Sequence, residues 1–125
     1  MPTDRRSFLK HSSLAASALA FPAVVKSVSP NSKLQVVSVG ANGMAFSDIK
    51  NIGGHANVQY VGFCDIDSTR FDKVDAEHPG VAHFADFREM FAKLGDKFDA
   101  VNVGIPDHMH AKVAIDAMRM GKHVY

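Results

Sequence analysis

Two hydrophobic periods alternate along the chain after residue 32. Runs rich in β-branched residues, typical of buried strands, occur at 34–39, 58–64 and 98–103. Segments with apolar residues at helical spacing are predicted at 45–52, 68–77, 86–94 and 108–120. Strands that alternate with helices are typical of βαβ units around a parallel sheet. The pattern therefore predicts an α/β fold, with a doubly wound and incomplete sheet of about four strands plus a stub at 123–125.

Two of the predicted helices carry specific expectations. The helix over 86–94 begins with a capping-box pattern, Asp86 and Glu89, and is expected to end at Gly95. The helix over 108–120 is expected to end at Gly121. Its inward-facing residues are predicted to be Val113, Ala114, Ala117 and Met118.

Residues 1–30 differ from the rest of the chain. Arg5 and Arg6 precede a weakly apolar, Ala-rich run at 14–20 that ends in a small-x-small pattern. This order resembles a twin-arginine export signal, although an amphipathic first helix is the alternative. We predict a signal and linker over 1–30, a domain over 31–125, and a periplasmic or secreted protein that meets the twin-arginine export machinery. Because that route carries folded proteins, a cofactor loaded before export is expected.

Composition narrows the class of partner. The chain has 125 residues, 46% of them hydrophobic and 22% charged, which is typical of one small globular domain. With 14 Lys and Arg against 13 Asp and Glu, nothing favours nucleic acid or an anionic membrane as a partner. One Cys allows no internal disulfide. The apolar stretch near 14–25 falls short of the roughly 20 residues of a transmembrane helix, so no membrane anchor is expected.

A glycine-containing turn follows the first predicted strand and opens a helix. In dinucleotide-binding folds this turn is tight, lets the pyrophosphate approach the helix N-terminus, and then needs a small residue where helix meets strand. Gly40 and Ala45 meet the first and third needs, while Asn42 stands where a second glycine is usual. The predicted cofactor-binding residues of this Rossmann-like turn are Gly40, Asn42, Gly43, Met44 and Ala45. An ordinary strand-to-helix loop is the alternative.

An acidic residue ends the second predicted strand. Asp65 lies where a carboxylate can accept both ribose hydroxyls of an adenosine and repel a 2′-phosphate. This position predicts NAD as the cofactor in preference to NADP. A solvated strand-end acid is the alternative, and Asp67 is a competing candidate for the ribose contact.

A histidine-containing loop follows the strand at 98–103. In open α/β sheets this loop lies near the topological switch point, where ligands bind. Pro106, His108 and His110 are predicted to pack over the cofactor, with His110 donating a hydrogen bond to it or to substrate. A metal site is not expected, because no third ligand has suitable spacing and a helix N-terminus disfavours a cation. Two exposed first-turn histidines are the remaining alternative.

Together these residues resemble the N-terminal domain of the Gfo/Idh/MocA oxidoreductases, the glucose-fructose oxidoreductase and inositol dehydrogenase group. The resemblance rests on four segments, at 40–45, 63–67, 106–110 and 114–125. It implies an NAD(P)-dependent oxidoreductase that transfers hydride at a CH-OH group of a sugar, sugar acid or cyclitol. In that family a lysine of a Glu-Lys-Pro motif assists proton transfer, and a second domain completes the site.

The sequence stops at Tyr125, just before that lysine would appear. We therefore expect a fragment that is inactive alone, with no catalytic acid or base of its own; the complete protein could form a homo-oligomer. A non-catalytic nucleotide-binding module is the main alternative. A methyltransferase is a third possibility, but it predicts a denser glycine turn and does not explain the loop at 106–110.

Overall fold

The structure of the protein is a computed structural model that describes residues 32–125. The predicted export signal lies outside the described residues. Strands β1 to β5 span Leu34–Val39, Val58–Cys64, Ala82–Phe84, Ala100–Val103 and His123–Val124. Helices α1 to α4 span Met44–Gly53, Asp72–Glu77, Phe87–Leu94 and Asp107–Arg119. Short 3₁₀ turns lie at Ser68–Arg70 and Gly95–Lys97.

All five strands form one parallel sheet in the order β3-β2-β1-β4-β5. The chain first builds outward from β1 through β2 to β3, then returns to place β4 and β5 on the other side of β1. This reversal creates a crevice at the carboxyl ends of β1 and β4, where ligands of doubly wound sheets bind. The predicted Rossmann-like α/β fold is confirmed.

The two faces of the sheet carry different helices. Helices α1 and α2 pack on one face, where Ile49 and Val74 are fully buried against Val36 and Phe63. Helices α3 and α4 cover the other face through a second cluster of buried side chains. Its fully buried members include Val37, Met90, Phe98, Val101, Val113 and Ala117. Strands β1, β2 and β4 contribute side chains to both clusters, as expected for the inner strands of a parallel sheet.

Strand β3 was not assigned from the sequence. It has only three residues, pairs with β2 on one side, and exposes Ala82 and His83. Such a short edge strand carries neither a buried run nor a clear alternation. At the other edge, the predicted stub is β5, whose pairing continues as the Tyr125 N–H donates to the Val101 carbonyl.

Three helix predictions need correction. The Asp86 carboxylate caps α3 through the Arg88 N–H, but Glu89 does not complete a capping box and instead accepts from Lys93 Nζ at 2.6 Å. Met118 is 57% exposed, because it follows the inward Ala117 by one position and so turns about 100° away. The helix predicted at 68–77 is divided into the 3₁₀ turn Ser68–Arg70 and α2.

None of the helices in residues 32–125 has both the length and the apolar composition needed to cross a bilayer.

Candidate functional site

A cleft of about 540 Å³ opens at the carboxyl ends of the strands. Its walls come from the loops that follow β1, β2, β3 and β4. Five of the predicted cofactor-binding residues line it: Gly40, Asn42, Asp65, Pro106 and His108. The other four, Gly43, Met44, Ala45 and His110, do not belong to its lining.

The turns after β1 and β4 touch each other at glycines. Gly40 has a φ of 104°, and a Cβ added there would lie 2.4 Å from the Gly104 carbonyl oxygen. A Cβ on Gly104 would in turn lie 2.4 Å from Ala45 Cβ. Gly40, Ala45 and Gly104 therefore form a contact that admits no larger side chain. Gly104 was missed as a site residue, although a glycine directly after a strand at the switch point was a usable signal.

A buried polar pair supports the first turn from below. Asn102 Nδ2 donates to Ser38 Oγ at 3.0 Å, and the Ser38 hydroxyl donates to the Gly40 carbonyl at 2.8 Å. Ser38 and Asn102 are 0% and 1% exposed, and Asn102 Oδ1 has no hydrogen-bond partner in the described part of the chain. The pair links β4 to the glycine turn and was not singled out from the sequence.

Helix α1 begins at this turn without a side-chain cap. Gly43 is its N-cap residue, with a φ of 61°, no atom within 4 Å of an added Cβ, and no acidic residue in the first helical turn. The first N–H groups of an α-helix have no partner within the helix, and they favour an anion. Met44 is exposed and Ala45 is buried. As the first two residues of α1, they have backbone N–H groups without an intrahelical partner.

The Asn42 side chain binds one of the backbone N–H groups of this turn. Its Oδ1 accepts from the Gly43 N–H at 2.8 Å, and the residue lines the cleft. A glycine there would leave both that N–H and that space free. Asn42 is half-buried, and its side chain occupies space in the cleft wall just before the start of α1.

Asp65 connects the end of β2 to the glycine turn. Its Oδ2 accepts from the Ala41 N–H at 3.1 Å, and its Oδ1 accepts from the Asp67 N–H at 3.0 Å. The half-buried carboxylate lines the cleft beside Gly40. A carboxylate held in this way presents acceptor atoms to hydroxyl groups and a negative charge to any phosphate.

The loop after Asp65 carries a second carboxylate and a cation. Asp67 caps the 3₁₀ turn, accepting from the Thr69 N–H at 3.0 Å and the Thr69 hydroxyl at 2.6 Å. Its other oxygen accepts from Arg70 Nε at 3.1 Å. The hydrogen bond from the Thr69 hydroxyl, with the Thr69 N–H and Arg70, holds the pKa of Asp67 below its usual value. Ile66, 93% exposed, lines the cleft between the two carboxylates.

The start of α3 forms another wall of the cleft. Asp86 accepts from the Arg88 N–H at 2.8 Å and from Arg88 Nε at 3.2 Å, and the backbone bond is the main cause of its lowered pKa. Cys64, at the end of β2, is 3% exposed. Burial first, and then the nearby carboxylates, raise the pKa of its thiol to about 12. The thiol therefore stays protonated at neutral pH.

The two loop histidines differ in their surroundings. Both lie at the start of α4 and are exposed, as the alternative interpretation expected; His108 lines the cleft, whereas His110 Nε2 donates to the Ile105 carbonyl just before the helix. With Nε2 donating, His110 has Nδ1 left as an acceptor. No group of three metal-ligating side chains occurs among residues 32–125.

Comparisons with known proteins identify relatives of this arrangement. Residues 34–125 match the GFO_IDH_MocA family model, described as "Oxidoreductase family, NAD-binding Rossmann fold". The chain is 32% identical to a glycosyl hydrolase family 109 protein of Solibacter usitatus (strain Ellin6076). That alignment covers 98% of this chain and 32% of the relative.

Two solved structures share the fold. The WlbA dehydrogenase of Bordetella pertussis, in complex with NADH and UDP-GlcNAcA, is 25% identical with a TM-score of 0.65 over 74% of this chain and 28% of its own. The scyllo-inositol dehydrogenase of Lactobacillus casei, with NAD(H) and scyllo-inositol bound, is 22% identical with a TM-score of 0.65 over 74% and 27%. The chain thus spans about a third or less of the length of these relatives.

Proposed function

The chain belongs to the Gfo/Idh/MocA oxidoreductase family, and on that premise we propose that residues 32–125 bind NAD in the cleft above β1 and β4. In this proposal the domain is the nucleotide-binding part of an exported oxidoreductase. The observation that carries it is one cleft that joins the Gly40–Gly104 contact, the Asp65 carboxylate and Asn42, the residue next to the uncapped start of α1.

The described residues fit the cofactor in three places. Backbone N–H groups at the start of α1 would hold the pyrophosphate, because they lack partners and lie at the positive end of the helix. Asp65 would accept the adenosine ribose hydroxyls. Pro106 and His108 would contact the cofactor from the loop after β4. Nicotinamide, when bound, supplies the hydride acceptor or donor, and these residues supply its seat and orientation.

The carboxylate of Asp65 favours NAD over NADP. A 2′-phosphate would replace a ribose hydroxyl that Asp65 can bind with a group that it repels. The loop from Asp65 to Arg70 holds two carboxylates against one guanidinium, so its net charge also disfavours the extra phosphate. The preference for NAD is therefore part of the proposal.

A small carbohydrate-like molecule is the proposed substrate class of the complete protein. The support is that solved relatives of the same fold bind UDP-GlcNAcA and scyllo-inositol. Hydride transfer at a CH-OH group is the corresponding reaction. No residue among 32–125 is assigned as a catalytic acid or base, and these groups are proposed to lie elsewhere in the complete protein. Export by the twin-arginine pathway remains part of the proposal, supported by Arg5, Arg6 and the small-residue run after them.

The curated relative favours a second candidate function, a dinucleotide-dependent glycoside hydrolase. The 32% identity to a glycosyl hydrolase family 109 protein is its support. NAD-dependent glycosidases are a known exception to two-carboxylate hydrolysis. The two candidates differ in net chemistry: a dehydrogenase accumulates NADH as substrate is oxidised, whereas a glycosidase releases sugar with no net NADH. Absorbance of NADH measured alongside free sugar distinguishes them.

The binding proposal is tested with Asp65→Ala. We expect the wild-type protein to bind NAD more tightly than NADP. Asp65→Ala should weaken NAD binding about tenfold and NADP binding less, because only NAD has the 2′-hydroxyl that can donate a hydrogen bond to the Asp65 carboxylate. Isothermal titration calorimetry on the full-length protein measures both affinities.

The controls separate ribose recognition from damage to the loop. Asp96→Ala removes one exposed carboxylate outside the cleft and is expected to leave both affinities unchanged. Asp65→Asn keeps one oxygen for one of the two N–H groups that Asp65 binds, so its thermal melt beside the wild type measures what loss of the other bond costs the loop. Equal losses of NAD and NADP binding in Asp65→Ala would remove Asp65 from the ribose role.

A further inference from the structure

We propose that Asp67 is a second determinant of cofactor choice, which acts by keeping the Arg70 guanidinium from binding a 2′-phosphate. The inference rests on the proposed binding of a dinucleotide in this cleft. In it Asp67 is a positioning residue, since it acts through Arg70.

The first step is the placement of Arg70. Asp65, Asp67 and Arg70 all line the cleft, and Arg70 is the only cationic side chain in the loop 65–71. The Asp67 N–H donates to Asp65 Oδ1 at 3.0 Å, so the two carboxylates belong to one compact turn. A ribose bound at Asp65 therefore places its 2′ position beside this turn. A guanidinium there is the usual partner of the extra phosphate of NADP.

The second step is that this guanidinium is already paired. Arg70 Nε donates to Asp67 Oδ2 at 3.1 Å. The Thr69 N–H and hydroxyl fix the other oxygen of the same carboxylate at 3.0 and 2.6 Å. The carboxylate thus cannot swing away and release Arg70 without losing both Thr69 bonds. A 2′-phosphate that approached the Nη atoms of Arg70 would meet a guanidinium whose charge is already shared with a fixed carboxylate, and it would be repelled by that carboxylate.

The third step is a control: a second Asp–Arg ion pair, Asp86 and Arg88, lies in the same cleft. Asp86 caps α3 through the Arg88 N–H and accepts from Arg88 Nε at 3.2 Å, so it repeats the cap and the ion pair of Asp67. Asp86 has no hydrogen bond to Asp65 or its loop. Removing the Asp86 charge therefore tests what the loss of one cleft carboxylate does without freeing Arg70.

The experiment measures NAD and NADP affinities by isothermal titration calorimetry on the full-length protein. Asp67→Asn keeps an oxygen for the Thr69 N–H but removes the charge that pairs with Arg70. We expect it to tighten NADP binding about tenfold, since charge-assisted bonds between a guanidinium and a phosphate become available, and to change NAD binding less than about twofold. Asp67→Ser, which also caps a helical turn, should act in the same direction.

Two further variants decide the mechanism. Adding Arg70→Gln to Asp67→Asn should abolish the gain in NADP affinity, and Asp86→Asn should leave the ratio of the two affinities unchanged. A gain that persists without Arg70, or an equal gain in Asp86→Asn, would show that charge removal alone is responsible and overturn the inference. An unchanged ratio in Asp67→Asn and Asp67→Ser would also overturn it, while wild-type binding of NAD would keep the proposed function. Wild-type protein that binds neither dinucleotide would overturn both.

Discussion

At the scale of single residues, the site depends on two glycines and an alanine that let two turns pack closely together. Gly40, Ala45 and Gly104 bring the turn after β1 against the turn after β4 with no room for another carbon. The Ser38 and Asn102 side chains then fix the Gly40 carbonyl from the buried side. The turn that leads into α1 therefore has one defined position at the edge of the cleft.

Gly40→Ala tests this close contact. Gly80 is the matched control, because it also has a positive φ, of 81°, but has no atom within 4 Å of an added Cβ. We expect Gly80→Ala to lower the free energy of unfolding by about 1–2 kcal/mol, the cost of a left-handed residue with a side chain. Gly40→Ala should cost roughly a further 1–3 kcal/mol, because the new Cβ also meets the Gly104 carbonyl. Urea denaturation measures both, and equal costs would contradict the contact.

Local sequence was informative for only part of this site. Gly40 and Asp65 follow predicted strands, so their place in the cleft could be inferred from strand order alone. Gly104, Ser38 and Asn102 matter through contacts between β1 and β4, which are 64 residues apart at the Asn102–Ser38 bond. The pairing of His110 with the Ile105 carbonyl depends on the loop's own conformation, which histidine spacing does not specify.

At the scale of elements, α3 and α4 hold the face of the sheet opposite α1. Met90 of α3 is fully buried, and Phe91 stacks on Phe98 with ring centroids 5.3 Å apart. In α4 the buried positions are Val113 and Ala117, four residues apart, which leaves Met118 outside the contact. These contacts fix where the loop at 104–109 begins and hence the second wall of the cleft.

Two methionines test the assignment of helix faces with the same chemical change. We expect Met90→Ala to lower the free energy of unfolding by about 2–5 kcal/mol, because it leaves a cavity in a filled cluster. Met118→Ala should change it by less than about 0.5 kcal/mol, because the side chain is 57% exposed. Thermal and urea unfolding of both variants provide the comparison. A large loss in Met118→Ala would restore the inward orientation predicted from the sequence.

The periodicity of apolar residues predicted the elements that bury a continuous apolar stripe. It missed strand β3, which buries none. Several apolar residues of each predicted element face the core, and their spacing in the sequence therefore predicts the element. This holds for strands β1, β2 and β4 and for helices α1, α3 and α4. Strand β3 pairs along only one edge and buries little, so backbone pairing with β2 defines it more than its side chains do.

At the scale of the whole molecule, the order of the strands places the site. Because all strands are parallel, the loops that follow β1 to β4 lie at one end of the sheet, and the reversal of strand order at β1 opens the cleft between them. These loops carry the glycine turn before α1, the Asp65 carboxylate, the capped start of α3 and His108. The model of the family to which the chain belongs describes an NAD-binding Rossmann fold, and the chain accounts for about a third or less of its relatives' length.

The most direct test of the account is where NAD binds. Titrating isotope-labelled full-length protein with NAD and following backbone amide shifts by nuclear magnetic resonance gives the answer residue by residue. The account predicts the largest shifts at residues 40–45, 65–67 and 104–110, and none at Ala92 and Arg119 in the groove between α3 and α4. Shifts centred on that groove, or no shifts at saturating NAD, would contradict it.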